Sequence, residues 1–127
     1  MSSPSLVIRN GTIIDGSGRD GYEADLAIAD GRISAIGQNL PKGAEEIDAT
    51  GCFLLPGLID AHTHLDLPFM GTSSSDDFET GTIAALHGGT TTIIDFAFQT
   101  QGRSLKEGLN QWHEKARGKA VADYAFH

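Results

Sequence analysis

The sequence predicts an α/β fold: a parallel βαβαβ run in the second part of the chain, preceded by a strand-rich segment. Three observations carry this. The run Leu54-Leu55-Pro56-Gly57-Leu58-Ile59-Asp60-Ala61-His62-Thr63-His64 has the length and apolar content of a buried strand. From Pro56 onward, strand-like and helix-like stretches alternate, which calls for a parallel sheet joined by crossover helices. Before that point the chain consists of short apolar runs punctuated by Asn-Gly and Asp-Gly.

Taken in order, Leu6-Val7-Ile8-Arg9 and Thr12-Ile13-Ile14 flank Asn10-Gly11, the dipeptide favoured in two-residue hairpins, and Asp15-Gly16-Ser17-Gly18 marks a loop. A second hairpin is predicted from residues 24–28, Asp30-Gly31 and residues 32–36. Glu46-Ile47-Asp48 reads as one more short strand, closed by Ala49-Thr50-Gly51. No ligands or nucleophiles stand at useful spacing here, so residues 1–53 are expected to be structural, the N-terminal part of a β-sandwich domain.

Residues 54–127 follow a different rhythm. After His64 comes a polar loop, Gly71-Thr72-Ser73-Ser74-Ser75, and then Asp76 as a helix N-cap with Glu79 completing a capping box. That helix is expected to turn Phe78, Ile83, Ala85 and Leu86 inward and to stop at Gly88-Gly89. Residues 90–98 read as a buried parallel strand. Ser104 and Glu107 repeat the capping box, and Leu105, Leu109, Trp112 and Ala116 share one face of a second helix, with Trp112 as its core anchor. Residues 120–127 form a third strand. A (β/α)8 barrel needs roughly 200 residues or more. If the βαβαβ run opens such a barrel, the chain is expected to be a piece of a longer protein, with residues 54–127 as the first β/α units.

Composition narrows the classes. Nine Lys plus Arg against seventeen Asp plus Glu give a formal charge of -8, which disfavours nucleic acid and anionic membranes as partners. No stretch approaches the run of about 20 apolar residues that spans a bilayer. No secretory signal is read at the N-terminus. The lone cysteine, Cys52, rules out an intramolecular disulfide and suits a reducing, cytoplasmic location; it is expected to be a small buried hydrophobe.

The chemistry centres on His62 and His64. Side chains alternate along a strand, so the two project the same way and can take adjacent corners of one metal ion. They stand at the C-terminal end of their strand, where α/β barrels keep active sites. Asp60 lies on the same face and could accept an imidazole N–H. A catalytic zinc usually takes three protein ligands and water. Asp95 and His127, near the ends of the next two strands, are candidates for a further ligand; the alternatives are a hydrogen-bonding role for Asp95 and a pocket-lining role for His127. His87 and His113 are expected to be solvated, and Asp66, Asp76, Asp77 and Glu79 to be loop and cap charges. There is no Gly-x-Ser-x-Gly elbow, and Gly88-Gly89 lacks the context of a phosphate loop.

The stretch from Pro56 to His64 resembles the first barrel strand of the amidohydrolase superfamily, with its Asp-x-His-x-His signature. Leu65-Asp66-Leu67-Pro68-Phe69, Ser75-Asp76-Asp77-Phe78, residues 88–96 and residues 118–127 look like the dihydropyrimidinase and hydantoinase branch. The resemblance implies a (β/α)8 barrel beside a β-sandwich. Two zinc ions would sit at the barrel mouth, with His62 and His64 on the more buried one. It implies a carboxylated lysine bridging the metals, and two histidines and an aspartate completing the site, all beyond His127. No catalytic residue other than the metal ligands then falls within this chain. Residues 65–72, including Leu65, Asp66, Leu67 and Phe69, match the loop that packs on the substrate's side chain.

The implied reaction is attack of a metal-activated hydroxide on the ring carbonyl of a dihydropyrimidine or hydantoin, yielding an N-carbamoyl amino acid. A homotetramer acting on a small cyclic ureide in pyrimidine degradation is implied too, with residues 1–127 alone inactive. Dihydroorotases and allantoinases typically carry arginine where this chain has Asp66; the opening, residues 7–18, also looks like D-aminoacylases, a likeness that fades from Leu65 onward. Dihydropyrimidinase-like scaffold proteins have no chemical need for both histidines, so His64 argues for an enzyme.

Overall fold

Strand β1 (Leu6–Ile13) is the axis of the N-terminal unit in the computed structural model, which describes residues 3–127 and divides into two units, Met1–Pro56 and Gly57–His127. On one side β1 pairs antiparallel with β2 (Tyr22–Ala29), which in turn pairs with β3 (Arg32–Gly37). On the other side it pairs in parallel with β4 (Glu45–Asp48) and, further along, with β5 (Phe53–Leu54). Asp30 and Gly31 take φ of 53° and 71°, the turn expected between β2 and β3.

Asn10-Gly11 does something else. β1 runs straight through it, with a register shift between Ile8 and Gly11 and Asn10 at φ 60°, so the expected hairpin is a β-bulge. The deciding partners are remote in sequence: Asp25 Oδ1 accepts from the Asn10 backbone N–H at 3.1 Å, and Asp48 Oδ1 from its side-chain amide at 3.0 Å. Val7, Ile13, Ala24, Ala27 and Ala49 are the buried apolar residues of this sheet. Cys52 is exposed rather than buried. It follows the turn at Ala49, where its backbone is bonded to Ala49 and Thr12 and its side chain is left outside.

In the second unit β6 (Leu58–Thr63), β9 (Thr90–Asp95) and β10 (Asp123–Phe126) form an all-parallel sheet in the order β10-β9-β6. Between β6 and β9 lie a two-rung hairpin, β7 (Pro68–Phe69) and β8 (Thr72–Ser73), and helix α1 (Phe78–His87); between β9 and β10 lies α2 (Leu105–Ala116). The βαβαβ run expected from the sequence is present. Its core is Phe78, Ile93, Trp112 and Ala116, with Leu65, Leu67, Tyr124 and Phe126 packed against it.

Several local expectations are corrected. Among the described residues β6 pairs with β9 alone, and Leu58 and Ile59 are 56% and 65% exposed. The polar loop folds into the β7-β8 hairpin, with Met70 and Gly71 at positive φ. Thr82 takes a buried position on α1 while Ile83 and Leu86 are exposed; its hydroxyl bonds to the Phe78 carbonyl and accepts from Val121 N–H at 3.0 Å. The α2 capping box is present as expected, yet Leu105 and Leu109 are exposed, and the buried residues of the helix are Gly108, Trp112 and Ala116. His113 is half-buried, its ring edge-on to Phe126 at a centroid distance of 5.0 Å, whereas His87 is exposed as expected. The second and third strands are shorter than predicted, ending at Asp95 and spanning only Asp123–Phe126.

The N-cap of α1 is Asp77 rather than Asp76. Its Oδ1 accepts from Glu79 and Thr80 N–H, both at 3.0 Å, so Glu79 stands one residue too early to close a capping box. The Thr80 N–H and then the Lys119 ammonium, 3.0 Å away, hold the Asp77 carboxyl down at about 2. A carboxyl more acidic in the folded than the unfolded state stabilises fully above its unfolded value near 4, and loses that contribution as pH falls toward 2. Asp77→Ala is therefore expected to lower the thermal midpoint at pH 7, with a deficit that shrinks between pH 4 and 2. A deficit that stays constant over that range would contradict this.

Candidate metal centre

The ladder between β6 and β9 slips where the histidines emerge. Asp60 lies opposite Ile93 and Thr63 opposite Asp95, so three steps on β6 match two on β9. The extra residue makes a bulge at the strand's C-terminal end, a device that re-aims side chains. His62 lies within the bulge and His64 one residue past the strand. Their rings adjoin, with centroids 5.1 Å apart and planes at 89°. Both histidines are exposed. The common direction expected from strand alternation is what the structure shows.

Phe96, the first residue after β9, packs against this pair, its centroid 4.7 Å from His62 and 5.3 Å from His64. His127 stacks on the same phenyl ring at 4.7 Å. Its Nε2 lies 3.0 Å from the Ala61 carbonyl, which can only accept, so that nitrogen carries the proton. The pocket-lining alternative for His127 fits this arrangement; a ligand role through Nε2 does not.

Asp60 makes a different contact from the one expected. Its Oδ1 accepts the backbone N–H of His62 at 3.1 Å, not an imidazole N–H, because the bulge brings that amide back over the carboxylate. Asp95 is turned away from solvent at 1% exposure. Its Oδ2 accepts from Thr63 Oγ1 at 2.9 Å and Leu65 N–H at 2.8 Å, and its Oδ1 from Phe96 N–H at 2.8 Å and Trp112 Nε1 at 3.3 Å. Four donors occupy both oxygens, so the hydrogen-bonding alternative holds for Asp95. Among the described residues, no three His, Cys, Asp or Glu side chains converge to hold one ion. The imidazole pair is the donor set these residues offer, and imidazole nitrogen is a ligand type that zinc takes.

The loop after His64 splits its residues between two environments. Leu65 and Leu67 pack on the core of α1 and α2, with Leu65 filling the space above Gly81, where a Cβ would meet it at 2.5 Å. Phe69 and Met70, at the hairpin tip, are 61% and 88% exposed. Leu67 nevertheless borders a surface cavity together with Pro68, Phe69, Phe98 and Trp112, while Leu65 turns toward Gly81. Asp66 is half-buried at φ 48°, its carbonyl accepting from Lys115 Nζ and its carboxylate 3.6 Å from that ammonium. Lys115 also lies over the Trp112 ring at 4.6 Å. Sequence reading missed Lys115 and Phe96. The three-residue step from Trp112 to Lys115 along α2, and the position of Phe96 one past a strand end, were the available signals.

The parallel α/β unit thus presents two adjoining imidazoles at the carboxyl end of its first strand. A model described as the amidohydrolase family matches residues 53–121. The D-hydantoinase of Geobacillus stearothermophilus is 61% identical over 122 residues, covering 95% of this chain and 26% of that protein. The dihydropyrimidinase of Dictyostelium discoideum is 46% identical over 125 residues, covering 97% and 24%. The crystal structure of dihydropyrimidinase from Brevibacillus agri superposes with a TM-score of 0.89 at 56% identity, covering 96% of this chain and 26% of that one. The chain belongs to the amidohydrolase family. It spans about a quarter of the length of the curated relatives it matches.

Removing the Asp95 carboxylate would strand several buried donors at once. Asp95→Ala is expected to cost on the order of 3–5 kcal/mol of unfolding free energy in denaturant titration. A loss below about 1 kcal/mol would mean that the four hydrogen bonds are not formed in solution.

Proposed function

We propose that the full-length protein is a zinc-dependent cyclic amidohydrolase that opens 5,6-dihydropyrimidines or hydantoins to N-carbamoyl amino acids. The observation that supports this most is the adjacency of the His62 and His64 rings, 5.1 Å apart at the end of β6. Similarity to D-hydantoinases and dihydropyrimidinases over nearly the whole chain points the same way. An intact imidazole pair disfavours a scaffold that has given up metal chemistry.

In this reading His62 and His64 hold one zinc. When bound, zinc supplies Lewis acidity that lowers the pKa of water and polarises the substrate carbonyl. The chain's own residues prepare the site. Phe96 backs both imidazoles with an apolar ring, Asp60 ties down the His62 amide, and the exposed Phe69 and Met70 offer an apolar surface for the substrate's side chain. The other ligands, including a carboxylated lysine bridging to a second zinc, belong to later strands of a (β/α)8 barrel outside residues 1–127. The N-terminal sheet is then one layer of a β-sandwich, in keeping with the exposure of Ile33, Ile36 and Ile47. A homotetramer and a cytoplasmic location complete the proposal; the exposed thiol of Cys52 suits a reducing compartment.

The test is metal analysis and ring-opening assays on the full-length protein with hydantoin and dihydrouracil. About two zinc ions per subunit are expected. His62→Ala and His64→Ala should each lower zinc content and reduce hydrolysis by at least about a thousandfold. Residues 1–127 alone should show no turnover of dihydrouracil. Full activity in either histidine variant, or in zinc-free protein, would defeat the proposal.

A further inference from the structure

We propose that Asp95 is the positioning residue of His64, fixing its imidazole from the strand next door; the metal consequences drawn below rest on the zinc reading. His64 lies just beyond the last paired residue of β6, so the sheet ladder does not hold it, and it is exposed. What holds it is Asp95 Oδ2. That one oxygen accepts from Thr63 Oγ1 on one side of His64 and from Leu65 N–H on the other. The second oxygen reaches the opposite way, to Phe96 N–H and Trp112 Nε1. Asp95 therefore ties the segment around His64 to β9 and to α2 with a side chain that is itself 1% exposed.

A side chain offering acceptors on both arms is required here. Asn in its place would turn an NH2 toward N–H or O–H donors on one arm or the other. The grip is reinforced by Leu65, whose side chain fills the gap above Gly81. His62 is held by other means: the Asp60 carboxylate on its amide, and the His127 ring on the preceding carbonyl. His62 thus has supports of its own besides the Phe96 ring that both imidazoles share, and weakening the Oδ2 arm should disturb His64 more than His62.

Two substitutions in the full-length protein each remove one donor to the same carboxylate. Thr63→Val deletes the Oδ2 partner beside His64 at nearly constant volume, and Trp112→Phe deletes the Oδ1 partner on α2. Zinc release to a chromogenic chelator, in the absence of substrate, should be faster in Thr63→Val by about tenfold or more. Thr63→Ser, which keeps the hydroxyl, should restore the parent rate, and Trp112→Phe should stay within about twofold of it even where it lowers the thermal midpoint. Crystal structures of the metal-free variants give a second readout that does not depend on zinc. The His64 ring should be displaced or multiply placed in Thr63→Val and unchanged in Trp112→Phe. An unmoved His64 in Thr63→Val, or equal effects of the two variants, would overturn the proposal. Parent protein that binds no zinc would remove the metal reading and leave the ring positions to decide this one.

Discussion

The buried Asp95 carboxylate is the constraint on which this α/β unit depends. It accepts from the end of β6, from the residue after β9 and from the indole of α2, so one side chain sets the relation of three elements. An acceptor at 1% exposure is tolerable only when its lone pairs are filled, and four donors fill them. The price of placing it there is offset by order at the place where two imidazoles must stay together. Phe96, whose amide is one of the four donors, then brings its ring against both histidines.

Around that point the chain separates support from surface. Leu65 and Leu67 face inward onto Phe78, Ile93 and Trp112, and Lys115 secures Asp66 between them. The following turn puts Phe69 and Met70 outside. A loop anchored at alternate residues can present a defined apolar tip without a long hydrophobic strand of its own. The bulge in β6 serves the same end, since it lets a regular strand finish with two side chains on one side and a backbone amide folded back onto Asp60.

Much of this was legible in the sequence, for reasons that can be named. The Asp30-Gly31 turn, the Ser104 to Glu107 capping box and the βαβαβ order follow from local chemistry that needs no distant partner. Strand alternation is enough to suggest that His62 and His64 share a direction, although the bulge sets the approach of their rings. Asn10-Gly11 misled because a left-handed Asn serves a bulge as well as a turn, and Asp25 and Asp48, far along the chain, decide between them. The role of Asp95 stayed open for a related reason: a carboxylate at a strand end reads equally as ligand or clamp until its donors from Thr63, Leu65 and Trp112 are seen. Thr82 was overlooked as a core residue because its hydroxyl is satisfied by the helix itself and by Val121, neither of which hydropathy reports.

The central claim is that His62 and His64 share one divalent cation. The most direct test is an anomalous-difference map at the zinc edge from crystals of the full-length protein. A peak is expected within bonding distance of one nitrogen from each ring, about 2.0–2.1 Å. A map with no peak there, or with a peak touching neither imidazole, would contradict it.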